Sequence, residues 1–278
     1  MPNYCGLLDD ATQQLYELSD TPRIDAEVLL QHVIGQPLAW LIAHGESSAT
    51  NKHIKDFYKL VKQRCNGEPV AYILTYRDFW TLRLKVNPHV LIPRPDTEVL
   101  VEQALERLVK DQPSHVLDLG TGSGAIALAI AKERPNSRVW AVDQSNQALE
   151  VARDNAQDNQ VSNLEFVASD WFAELANKRF DLIAANPPYI ERDDPHLNSL
   201  NFEPELALIS DEQGLGDLRR IIESAPKHLI SGGHIIVEHG FKQQQAVCDL
   251  MNKNGFKSIK RYEDLNRLPR CTAAQWSS

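Results

Sequence analysis

The sequence lacks any apolar run near the length needed to cross a bilayer, so no membrane-spanning segment is expected. Residues Met1 to Asp10 have neither a basic start nor an apolar stretch behind one, so no secretory leader is expected. Cysteine is scarce and scattered: Cys5, Cys65, Cys248 and Cys271 form no C-x-x-C pair. That argues against a zinc frame or a disulfide scaffold. It reads as reduced thiols of a cytoplasmic protein that holds no metal. Basic residues are outnumbered, with 29 Lys and Arg against 38 Asp and Glu, for a formal charge of −9. A surface of that sign is poor at gripping phosphate, so no direct nucleic-acid binding is expected. What is present, 278 residues of which 42% are hydrophobic, is ample for a buried core in one large domain or one medium and one small.

Residues 1–66 read as a helical head. Asp25 to Ile34 place apolar residues at helical spacing, and Gly35 suits the C-cap. A short helix is expected from Gln36-Pro37 to Leu41. Another runs from Thr50 to about Cys65, with Ile54, Phe57, Tyr58 and Val61 on one stripe. His32, His44 and His53 are isolated and read as packing or surface residues. Residues 67–88 change character: Phe79 to Val86 alternate with period two, as a hairpin linking two domains would. Residues 89–278 open with a stiff segment in which Pro93 and Pro95 bracket Arg94. Asp96 or Thr97 then caps a helix from Glu98 to about Lys110.

From Ser114 onward, strands and helices alternate, the pattern of a doubly wound α/β sheet. His115–Leu119 is the first strand, and Gly120-Thr121-Gly122-Ser123-Gly124 turns it into a helix. Glycines there permit backbone angles that other residues avoid, and they let a ligand touch the chain. Asp143, ending the next strand, is placed to take both hydroxyls of a ribose. The glycines and Asp143 alone do not separate S-adenosylmethionine from NAD, because Gly120, Gly122 and Ala125 also fit the dinucleotide pattern. Asp118 favours the former: an anion there suits an amino group and a sulfonium but repels a pyrophosphate. Asp170 and Trp171, after the following strand, are placed to flank an adenine, although a core position explains Trp171 equally.

The next strand, Phe180 to Ala185, ends in Asn186-Pro187-Pro188-Tyr189. Two prolines hold φ near −65° and remove two backbone donors. The Asn186 side chain and the Pro187 carbonyl can then accept both hydrogens of an amide or exocyclic amine, with Tyr189 against its plane. By itself, Asn-Pro-Pro is also what a rigid strand-ending turn requires. Set beside the glycine turn and Asp143, it reads as a nitrogen clamp facing a methyl donor, for which hydride transfer has no use. No general base is assigned, and Glu238 and His239 read as structural.

V-L-D-L-G-T-G-S-G, Asp143 and N-P-P-Y together resemble the class I S-adenosylmethionine-dependent methyltransferases that act on a planar nitrogen. L-I-P-R-P-D-T-E, Leu91 to Glu98, with G-E-P-V-A-Y before it and the helical head, resembles the enzymes that methylate the glutamine N5 of the Gly-Gly-Gln loop of peptide-chain release factors. The resemblance implies a Rossmann-like domain behind a helical head that recognises the release factor. It implies S-adenosylmethionine as cofactor, Arg94 with Asn186 to Tyr189 at the substrate, and a monomer. N-P-P-Y alone is shared with glutamine methyltransferases of a ribosomal protein and with adenine-N6 DNA methyltransferases. Two departures are visible. A glycine common in such sequences just before R-x-F-W is missing from Leu74-Thr75-Tyr76, and the stretch after Asp264 matches least.

Overall fold

A computed structural model describes residues 1–277. The chain divides into two compact units, Met1–Tyr76 and the remainder from Arg77. The first holds α1 (Tyr4–Leu15), α2 (Pro22–Ile34), α3 (Leu38–His44), α4 (Asn51–Cys65) and α5 (Val70–Leu74). Helix α1 escaped the sequence reading. Its stripe of Tyr4, Leu7, Leu8, Ala11 and Leu15 is buried, and Asn3 caps it by accepting from Gly6 N at 2.8 Å. Apolar faces of α1, α2 and α4 meet around Leu29, Leu30, Phe57 and Val61, which are fully buried. The bundle is pinned by polar ties: Tyr4 Oη to His53 Nδ1 at 2.8 Å, and Arg64 to Asp25 at 2.8 Å. Gly35 ends α2 in the left-handed conformation, as its place in the sequence suggests. Part of the stretch 67–88 is helical, since Pro69 precedes the single turn of α5.

From Arg77 the second unit holds the rest of the hairpin β1 (Tyr76–Phe79) and β2 (Leu82–Lys85), in which Phe79, Leu82 and Leu84 are buried. Then follow α6 (Glu98–Arg107), β3 (His115–Leu119), α7 (Ala125–Glu133), β4 (Arg138–Asp143), α8 (Asn146–Asp158), β5 (Leu164–Ala168) and β6 (Phe180–Ala185). The chain continues through α9 (Gly216–Ser224), β7 (Leu229–Glu238), α10 (Gln244–Lys253), β8 (Lys257–Glu263) and β9 (Pro269–Gln275). The strand order is β5-β4-β3-β6-β7-β9-β8, parallel except that β9 runs against both neighbours. The chain thus closes on a pair of strands, with the last strand inserted inside the sheet.

Each face of the sheet carries its own core. Leu100, Leu128 and Ile130 belong to one, and Leu117, Ile183, Ile221 and Val237 to the other. Strands β3 and β6 are buried on both faces, which is why they read as near-continuous apolar runs. The chain leaves β3 towards β4 and β5, then returns to β6 on the other side of β3. The order reverses there, and ligands of open α/β sheets sit at the carboxyl ends of the strands flanking such a reversal. The glycine turn follows β3 and the Asn-Pro-Pro-Tyr turn follows β6, so the topology brings the two together. Asn155 of α8, fully buried, fastens this edge: it binds both backbone groups of Lys85 and the Ser123 carbonyl at 2.6 to 3.0 Å. Among the described residues, no helix is long and apolar enough to cross a membrane.

Candidate active site

A cavity of about 240 Å³ opens at these strand ends. Gly120 to Ser123 form one wall, Asp143 and Ser145 the next, then Ser169 and Trp171, then Asn186 and Pro188. Pro93, Arg94 and Thr97 also line it, as do Pro204, Leu206 and Ala207. The glycine turn is closed by Gly124 N donating to Thr121 O at 2.8 Å and anchored by Thr121 N to Val142 O at 2.9 Å. At Gly122, with φ +54°, the space a Cβ would fill is empty to 4 Å, so a ligand can lie directly against the backbone.

Asp143 reaches across to this turn. Its Oδ2 accepts from Gly122 N and its Oδ1 from Ser145 N, both at 2.9 Å. Burial raises the carboxyl above its ordinary value, while the N–H groups of Ser145, Gly122 and Gln144 offset part of that rise. A carboxylate has about four acceptor sites, so with these three N–H groups it still has room for a ligand hydroxyl.

Asp118 is placed differently from expectation. It is fully buried beneath the turn and is not part of the cavity wall. Its Oδ2 accepts from Thr121 Oγ1 at 2.6 Å and from Ala127 N at 3.1 Å, and its Oδ1 is buried without a partner. Burial pushes this carboxyl up to about 7. Its visible work is to hold the turn against the first turn of α7. Gly124 also lies behind the wall, packed on Leu128 and Ala152. Asp170 faces outward to Arg220 at 2.8 Å rather than into the cavity, whereas Trp171 does line it, with Nε1 donating to Asp217 at 3.2 Å.

The clamp residues divide. Asn186 and Pro188 line the cavity; Pro187 is buried and Tyr189 points inward. The Tyr189 hydroxyl donates to Glu238 Oε1 at 3.1 Å, and its ring packs on the core of that face instead of offering the cavity a flat surface. Asn186 Nδ2 donates to Thr97 Oγ1 at 3.3 Å, which leaves Oδ1 as the free acceptor of the amide. Neither Asp96 nor Thr97 caps α6 with its side chain. A 3-10 turn, Pro95–Thr97, leads into the helix, and Asp96 pairs with Arg270 at 3.1 Å.

Three residues that the sequence reading passed over, or read as merely structural, complete the surroundings. Glu203, 7% exposed, accepts from Ile92 N at 3.0 Å and pairs with Arg94, tying the Pro-Arg-Pro segment to the wall that starts at Pro204. Glu238, 1% exposed, has its carboxyl raised by burial, with Thr97, Arg270 and Tyr189 favouring the charged form. Arg270, from the poorly matched stretch after Asp264, holds Asp264 at 2.9 Å as well as Asp96. An acid between Phe202 and Pro204 was the one sequence signal available for Glu203; its partners lie more than a hundred positions earlier.

A model of the PrmC N-terminal domain matches residues 6–74, and one of the methyltransferase small domain matches residues 96–201. The release factor glutamine methyltransferase of Aliivibrio fischeri is 43% identical over 98% of this chain and 96% of its own. The chain belongs to the release factor glutamine methyltransferases. The family member from Xylella fastidiosa is 44% identical over 99% of this chain and 98% of its own. Among solved structures, a methyltransferase from Pyrococcus furiosus superposes with a TM-score of 0.54 at 18% identity, over 72% of this chain and 91% of that one. That likeness extends the fold of the second unit beyond the family.

Proposed function

We infer that this protein transfers a methyl group from S-adenosylmethionine to the side-chain amide nitrogen, N5, of the glutamine in the Gly-Gly-Gln motif of peptide-chain release factors. The observation that carries the reading is Asn186. In a chain matched to this family over 98% of its residues, its amide presents a bare oxygen to a cavity shared with the glycine turn and Asp143. The cavity walls fit the cofactor. The open space at Gly122 admits the methionine part, Asp143 on the cavity wall offers a carboxylate to the ribose, and Trp171 is an apolar wall for the base.

The cofactor supplies a methyl group on a sulfonium, already activated for displacement, so the task left to the protein is placement. A glutamine amide nitrogen is a weak nucleophile because its lone pair is shared with the carbonyl. Asn186 Oδ1 at the cavity would accept one of its hydrogens and, although Pro187 is not itself part of the cavity wall, its carbonyl on the same turn would accept the other, which would orient the nitrogen and favour the positive charge that develops on it. Pro188 and Arg94 bound the substrate side, with Arg94 held in place by Glu203. Tyr189 acts from behind by bracing the turn on Glu238. The proton leaves after transfer, so no general base is needed. In this reading residues 1–66 recognise the release factor, residues 67–88 link, and residues 89–278 carry the chemistry. The protein works in the cytoplasm as a monomer, and its charge of −9 supports a protein substrate rather than a nucleic acid.

The test is transfer of a labelled methyl group from S-adenosylmethionine to purified release factor. Label should enter the wild-type factor and not one whose Gly-Gly-Gln glutamine is replaced. Label retained by the replaced factor would overturn the substrate assignment.

A further inference from the structure

Asn155 joins the glycine turn to the hairpin. It is fully buried on α8 and uses its whole amide. Oδ1 accepts from Lys85 N at 2.6 Å, and the two hydrogens of Nδ2 go to Lys85 O at 3.0 Å and Ser123 O at 2.8 Å. Turned the other way round, the amide would set its oxygen against two carbonyls and its hydrogens against an N–H, so its orientation is fixed. To Lys85 this amide is what a neighbouring strand would be, one donor and one acceptor for the two backbone groups at the end of β2. Asn159, at the C-cap of α8, makes the next tie: its Nδ2 donates to Arg83 O of the same strand at 2.9 Å and to Asn155 O at 2.9 Å. Asn155 instead gives its remaining hydrogen to the turn.

The Ser123 carbonyl belongs to a peptide with little else to hold it. Gly124, at φ +86°, has no side chain to resist rotation. The peptide keeps its orientation through Gly124 N donating to Thr121 O at 2.8 Å and through Asn155 on its carbonyl. Ser123 is 3% exposed, so without Asn155 that carbonyl has no donor and no water close by. A rotation that found it one would pull Gly124 N off Thr121 O and open the turn. Ser123 lines the cavity, whereas Asn155 and Lys85 stand outside it.

We propose that Asn155 is a positioning residue for the cofactor: it fixes the Ser123–Gly124 peptide and so the shape of the glycine turn, with the backbone of Lys85 as its anchor. The inference rests on the glycine turn being the seat of S-adenosylmethionine. It adds that the occupied turn and the end of the hairpin stabilise each other, although β2 is no part of the cavity.

Calorimetric titration of S-adenosylhomocysteine into the full chain tests this, below the Tm measured for each variant. Asn155→Ala should weaken binding roughly 10- to 100-fold, with the KM for S-adenosylmethionine rising in step. Its kcat at saturating cofactor and its KM for release factor should stay within about threefold of wild type. Asn159→Ala cuts the other tie to β2 without touching the turn, and its affinity should stay within about twofold. Equal affinity in the two variants, or a loss carried by kcat alone, overturns the proposal. Amide hydrogen exchange of the unaltered chain decides the matter should Asn155→Ala not fold. Saturating S-adenosylhomocysteine should slow the Lys85 amide at least about threefold more than the amides of β8, at the far edge of the sheet. Equal slowing overturns the proposal as well. If wild type itself does not bind S-adenosylhomocysteine, the cofactor reading falls too; if wild type binds it and Asn155→Ala binds it equally, only this inference falls.

Discussion

Gly214 lies hard against Tyr189: a Cβ built on it would stand 2.1 Å from the Tyr189 carbonyl oxygen. The same oxygen accepts from Gln243 Nε2 at 3.0 Å, and Gln243 also holds Gln213 O and Gly240 N. The back of the Asn-Pro-Pro-Tyr turn is thus clasped by a segment in which Glu212, Gln213 and Gly214 all have positive φ. Gly214→Ala should cost about 2–3 kcal/mol, from a left-handed backbone and a contact that only main-chain movement relieves. That is roughly 5–10 °C in Tm for a unit of this size, with kcat falling further than S-adenosylhomocysteine affinity. Calorimetry with parallel titration checks it, and an unchanged Tm would refute the clasp.

Asp143 and Asn186 should fail in opposite ways. Asp143→Ala removes both hydroxyl acceptors and should weaken S-adenosylhomocysteine binding by roughly 10- to 100-fold, at about 1.5–3 kcal/mol for hydrogen bonds to a charged group. Asn186→Ala should leave that binding within a few-fold and lower transfer at saturating cofactor by about 10²–10³. Isothermal titration and labelled-methyl transfer on the same preparations distinguish them. Binding lost in the Asn186 variant while transfer survives would reverse the two roles.

Asp118 makes stability pH-dependent. Its carboxyl is raised from 3.8 to about 7 in the folded chain. Between those values the folded state holds a proton that the unfolded state has released, so stability falls as pH rises from about 4 to about 7. The slope from this group alone is at most about 1.4 kcal/mol per pH unit. Asp118→Asn carries no such proton. Its stability relative to wild type should improve steadily across that window in urea unfolding without ligand. A constant difference would mean that Asp118 does not titrate there.

Thr75 occupies the left-handed region, with φ 66° and ψ 11°, where α5 ends. The missing glycine thus leaves a β-branched residue where the backbone favours glycine. Thr75→Gly should stabilise by roughly 0.5–1 kcal/mol, the relief of about 1–2 kcal/mol exceeding the extra entropy of the unfolded glycine. A rise in the urea midpoint checks it, and a fall would mean that the threonine side chain contributes more than its strain costs.

The sheet was legible because β3 and β6 are buried on both faces, so Val116-Leu117 and Leu182 to Ala185 stand out as apolar runs ending in turn residues. The glycine turn, Asp143 and Asn186 were legible because short local patterns carry them. Glu203 and Arg270 were not, because an acid or a base becomes part of a site only through partners that the fold brings from far along the chain. Tyr189 and Asp118 were assigned the right neighbourhood and the wrong side of it, since spacing does not say whether a strand-end side chain faces the crevice or the core. Helix α1 was not singled out because Gly6 and the polar run from Asp9 to Gln14 obscure a stripe, Tyr4, Leu7, Leu8, Ala11 and Leu15, that does keep helical spacing.

The place of β9, slotted between β7 and β8 rather than added at the edge, has a consequence for the order of assembly. Arg270 sits at the head of that strand, and it is the cation beside Glu238 and Asp96. A nascent chain that has already made its glycine turn and its Asn-Pro-Pro-Tyr turn still has two carboxylates there without a counter-charge. That corner of the candidate site therefore gains its counter-charge only when β9 is in place, and β8 can join the sheet only through it.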